Sequence, residues 1–133
     1  MAKLIEEFLA DHKALIAFLD EARRAKDLKA LRQALARARS VLLSHLHKED
    51  AEFSPVLEKA AKSDVRLQVI LGLFIEDIAA VTRQFIAFYE LLDTETPAEQ
   101  LMSEFDSVSA LLRKRIFREE SYLYPEFERL GLG

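Results

Sequence analysis

A histidine four residues before a glutamate is a pair that can do chemistry. It occurs as His45 and Glu49 in HLHKEDAEFSPVL, residues 45–57. On a helix both side chains project from one face and can reach one ion. A second stretch, RIFREESYLYPEF, residues 115–127, aligns with the first without gaps. Glu119 falls on Glu49, Glu120 on Asp50 and Pro125 on Pro55, but Arg115 falls on His45. His12 and Asp77 sit in two further stretches with the same apolar rhythm. Imidazoles with carboxylates form a suitable nest for iron, zinc or manganese. Arginine stays protonated and does not ligate metals in any ordinary sense, so Arg115 must do something else.

The elements that hold these residues are helical. Apolar residues recur at 3.6 spacing along almost the whole chain. The first helix is expected from Lys3 to Arg24, with inner face Ile5, Phe8, Leu9, His12, Leu15, Ile16 and Leu19. The second runs from Asp27, a suitable N-cap, to Ala61, with face Leu31, Leu35, Ala38, Leu42, His45 and Glu49. Pro55 lies inside that pattern and predicts a kink or break. The third runs from Asp64 to Leu92, with face Ile70, Phe74, Asp77, Val81, Gln84, Phe88 and Leu91. The fourth opens at Thr96-Pro97-Ala98-Glu99, a capping box with proline at the first helical position. Its face reads Leu101, Phe105, Val108, Leu112, Arg115, Glu119 and Tyr122. Short connections between long helices predict an all-α, up-down-up-down antiparallel four-helix bundle, one domain over residues 1–133.

In such a bundle the polar residues meet. At 1.5 Å per residue, His12 and His45 lie roughly 20 and 25 Å from the first loop. Asp77 and Arg115 lie roughly 24 and 27 Å from the third. One layer of the core should therefore hold His12, His45, Glu49, Asp77, Arg115 and Glu119. Buried charges are costly unless paired or bound to a metal. Two arrangements satisfy that demand: a metal site, or a metal-free ion network of Arg115 with Glu49, Glu119 and Asp77. Tyr122 falls on the inner face, where its hydroxyl could bond a ligand or a carboxylate, or simply pack. His47, about 200° around the helix from His45, points to solvent, and Glu52 reads as solvated. Phe85 and Phe88 read as core. Pro55 and Pro125 read as ends of the long helices past the site.

Composition bounds the partners. The chain has 133 residues, half hydrophobic and about a third charged, with three glycines and three prolines. Net charge is -4, with no basic patch for nucleic acid. There is no cysteine, which excludes disulfides, thiolate-bound zinc and iron–sulfur clusters. No apolar run is long enough to span a membrane, and no secretory leader is evident, so the expected location is cytoplasmic.

In the segments DHKAL, H-x-x-x-E-D…P and x-x-x-E-E…YP, the sequence resembles the hemerythrin-like family of HHE cation-binding domains. The resemblance covers essentially the whole chain. It implies a four-helix bundle around a non-haem di-iron centre that binds dioxygen or senses oxygen, iron or nitric oxide. Carried over by position, His12 and His45 match histidine ligands of one iron, and Glu49 and Glu119 match the bridging carboxylates. The family's pair of histidines from the third helix is missing here, leaving Asp77 as the candidate and Glu76 as a weaker one. The family's fourth-helix histidine corresponds to Arg115. Half the site is thus retained, and Arg115 would supply fixed positive charge in place of the second iron. Reversible oxygen binding takes one electron from each of two irons, so a single ion would bind nitric oxide or another small ligand instead.

The leading expectation is a sensor or carrier of a small ligand with one iron, or two. The alternative is a metal-free regulatory bundle that binds another protein. An iron-dependent enzyme ranks behind both, since no nucleophile triad, phosphate loop or cofactor motif is present.

Overall fold

Ala30 donates its N–H to Asp27 Oδ1 at 2.8 Å, and Leu67 donates to Asp64 Oδ1 at 2.9 Å. These two aspartates satisfy orphan donors at helix starts, so the chain turns helical just after each of them. The computed structural model describes residues 1–132, and the side chains of all of these except 75–78. Helix α1 spans Lys3–Arg23, α2 Leu28–Lys48, α3 Ser54–Ala61, α4 Val65–Leu92, α5 Ala98–Arg118 and α6 Tyr124–Arg129. Widened π-helical turns, Glu49–Phe53 and Glu119–Leu123, join α2 to α3 and α5 to α6 without a break. There is no strand among the described residues. Helix α1 packs on α2, α4 on α5, and α3 on α4.

Prolines 55 and 125 do not end their helices. Each sits at the first positions of a helix that continues past it. A proline ring would collide with the carbonyl four residues back and supplies no N–H. The turn before each proline is widened: Ser54 N–H reaches Glu49 O and Tyr124 N–H reaches Glu119 O, five residues back. This irregularity relieves the clash and lets the helix proceed.

One further boundary and one buried face differ from expectation. Thr96 does not cap α5: Pro97 is its N-cap, and no side chain bonds the first turn. The Thr96 hydroxyl lies 2.6 Å from that of Thr94 and donates to Leu91 O at 3.3 Å, so it serves the end of α4 instead. In the second half of α4 the buried face is Val81, Phe85, Phe88 and Leu92, while Gln84 is exposed and Leu91 half-buried. The large phenylalanine takes the core position and turns Gln84 to water.

Two apolar clusters result. One gathers Leu15, Leu19, Leu31, Leu35, Phe88, Phe105 and Leu112, among others. The other gathers Ile5, Phe8, Phe53, Leu57, Leu67, Phe74, Leu123 and Phe127. Along the chain, His12 lies between Phe8 and Leu15, His45 and Glu49 between Leu42 and Phe53, and Arg115 between Leu112 and Leu123. The polar side chains therefore form a layer between two cores.

Candidate metal centre

The layer takes one side chain from each element that reaches it. Helix α1 supplies His12, and α2 supplies His45 from its last turn. Helix α5 supplies Arg115 from its last turn. Each widened turn begins with a carboxylate, Glu49 in one and Glu119 in the other. His12, His45, Glu49, Arg115 and Glu119 are all buried.

The histidines meet tip to tip, with His12 Nε2 3.3 Å from His45 Nε2. Each ring is held from behind by a carboxylate. His12 Nδ1 lies 2.7 Å from Glu120 Oε2, and His45 Nδ1 lies 3.0 Å from Asp11 Oδ2. A carboxylate on Nδ1 favours the tautomer protonated there and leaves the Nε2 lone pair free for a cation. Arg115 holds the other side of the layer. Its Nη2 donates to Glu49 Oε2 at 2.9 Å and its Nε to Glu119 Oε1 at 3.1 Å. Glu49 Oε1 lies 2.9 Å from His45 Nε2, yet it is buried without a hydrogen bond, as is Arg115 Nη1, among the described residues.

Tyr122 is not in this layer. It is 57% exposed, and the inner position belongs to Tyr124. The α-helical period predicts Tyr122 one turn after Glu119, but the widened turn rotates the chain and brings Tyr124 inward. The Tyr124 hydroxyl donates to Glu119 Oε2 at 3.1 Å and lies 3.2 Å from His12 Nε2. Phe8, Phe53 and Tyr124 stack or meet edge-on beneath the histidines, with Phe8 4.8 Å from the His45 ring. Asp77 and Glu76 lie outside the described residues. His47 and Glu52 are exposed. Sequence reasoning also missed Asp11 and Glu120, although both are chain neighbours of residues it selected, His12 and Glu119.

Burial sets the protonation of the layer. It lowers the affinity of His12 and His45 for a proton, against the pull of nearby carboxylates, so both rings are driven toward the neutral, ligating form. Burial first, and the neighbouring Glu49 second, push Glu119 up to about 8. Burial also raises Tyr124, so its phenol keeps its proton in the absence of a cation.

This donor set fits a metal. Ligand atoms of His12, His45 and Glu119 all lie within 4.8 Å of one another. Two imidazoles on one tetrahedral ion at metal–nitrogen distances of about 2.0–2.1 Å stand roughly 3.3 Å apart, as the two Nε2 atoms do here. Glu49 stands beside this group, facing His45 with one oxygen and Arg115 with the other.

A family model described as the hemerythrin HHE cation binding domain matches residues 3–127. No curated protein and no solved structure matches the chain.

Proposed function

The chain belongs to the hemerythrin HHE cation-binding family, and from that premise we propose that it holds one non-haem iron ion and uses it to carry or sense a small ligand. The observation that carries this reading is the pair of Nε2 atoms 3.3 Å apart, each ring anchored from behind by a carboxylate. His12, His45 and Glu119 hold the ion, with Glu49 alongside. We take the long helices to run up-down-up-down and antiparallel, since their connections are short.

Iron held there would supply the capacity to bind dioxygen or nitric oxide. The chain's own residues do the rest. Asp11 and Glu120 fix the ring orientations. Arg115 forks onto Glu49 and Glu119 and adds a positive charge where the family draws a histidine ligand. A cleft of about 240 Å³ between α2 and α4, lined by Leu42, Leu46, Val81 and Phe85, reaches Arg115, and a second of about 120 Å³ touches Glu49 and Glu119.

The test is iron per chain after anaerobic iron(II) loading and desalting. One ion is expected in the wild type, none in His45→Ala, and two in Arg115→His. Two in the wild type would restore an ordinary di-iron reading. None in the wild type would leave the second reading, a metal-free module that binds another protein. One observation favours that alternative: Arg115 ties the two glutamates together, so a cation is already supplied to both by the chain itself.

A further inference from the structure

We propose that the phenol oxygen of Tyr124 is a fourth donor to the ion held by His12, His45 and Glu119. The inference rests on the metal reading above and deepens it. Three contacts among these four residues are close to the edge of one coordination tetrahedron. His12 Nε2 to His45 Nε2 is 3.3 Å, Tyr124 oxygen to His12 Nε2 is 3.2 Å, and Tyr124 oxygen to Glu119 Oε2 is 3.1 Å. The corresponding edge for bonds of about 2.0–2.1 Å is roughly 3.3 Å. A residue that merely backed up a ligand would touch it from outside. Tyr124 instead meets His12 at Nε2, the atom that ligates, while Glu120 occupies the outer nitrogen.

The ring is held for this role. It stacks on His12 at 5.6 Å and on Phe8 at 5.6 Å, and meets Phe53 edge-on at 5.5 Å. The widened turn at Glu119–Leu123 places it, since Tyr124 is the residue whose N–H closes that turn onto Glu119 O. On ligation the phenol O–H bond breaks, an oxygen–metal bond forms, and the proton leaves to solvent. No electron changes hands.

Composition makes the test clean. The chain has no cysteine and three tyrosines. Tyr89 is engaged with Leu35 O at 2.7 Å, and Tyr122 is 57% exposed. A phenolate-to-iron(III) charge-transfer band in the visible is therefore expected from Tyr124, and Tyr124→Phe separates it from any contribution of the exposed Tyr122. The experiment is to load the protein with iron(III), measure iron per chain, and record the visible spectrum of wild type and Tyr124→Phe. The expected result is a coloured wild type, and a Tyr124→Phe protein that retains iron but has lost the band. Resonance Raman excitation within the band should enhance ring modes that shift in wild-type protein grown on ring-deuterated tyrosine, a readout that needs no variant to fold. Iron in the wild type with no such band, or a band that survives in Tyr124→Phe, would remove Tyr124 from the donor set and leave the metal site standing. No iron in the wild type would overturn both.

Discussion

Glu49 and Glu119 open the two widened turns and face one another across a buried layer, where burial and their mutual repulsion push Glu119 toward its protonated form. Arg115, itself 3% exposed, reaches one with Nη2 and the other with Nε. Its removal leaves polar groups buried without a partner, which costs about 3–5 kcal/mol for a buried pair. Arg115→Leu in metal-free protein should lose stability of that order in urea denaturation at neutral pH. Arg115→Lys should recover little of it, because an ammonium cannot fork onto two carboxylates at once. A variant that kept wild-type stability would mean that the glutamates have another partner. Arg115 also shows what spacing alone can reveal. Its alignment on His45 is visible in the sequence, and so is its depth in the bundle. Asp11 and Glu120 show the opposite. Each sits next to a selected residue and therefore points about 100° away on a regular helix, so nothing in the apolar rhythm marks it.

At the scale of elements, helix starts are legible where a single side chain decides them. Asp27 and Asp64 both cap as their type predicts. Thr96 is less decisive, because its hydroxyl can serve either the helix before it or the one after. Register past Glu119 is not legible at all, since a constant 3.6 period selects Tyr122, and only the widened turn delivers Tyr124. Asp64 carries a pH signature. The Leu67 N–H and then the Arg129 guanidinium hold its carboxyl below the usual 3.8. A lowered folded-state value means that the stabilisation is fully present above 3.8 and is lost as pH falls through the folded value. Asparagine caps about as well as aspartate but carries no charge. Asp64→Asn should therefore unfold at a lower temperature than wild type at neutral pH, and the gap should close on acidification below 3.8. Thermal melts across that range check it. A gap that held constant would assign the whole effect to the cap.

Across the whole molecule, the helical content and the family come from patterns that repeat many times along the chain. No helix among the described residues is long and apolar enough to cross a membrane. The division of the core is different, because it depends on a few polar residues falling at one depth. The larger cluster lies toward the α1–α2 and α4–α5 connections, and the smaller takes α3, α6 and the starts of α1 and α4. The smaller end is also tied by Ala2 N–H to Glu128 at 2.8 Å and by Arg129 to Asp64 at 3.2 Å. Two apolar cores on either side of a polar layer are two candidate units of cooperative opening. In metal-free protein the smaller one is expected to open while the larger stays closed. A metal on His12, His45 and Glu119 joins α1, α2 and the turn into α6, and it binds only when both units are closed. Amide hydrogen exchange should then show two protection levels in chelated protein, lower in α3 and α6, and a single level once iron is bound. The ion would act less as a source of extra stability than as the coupling that makes two folding units behave as one.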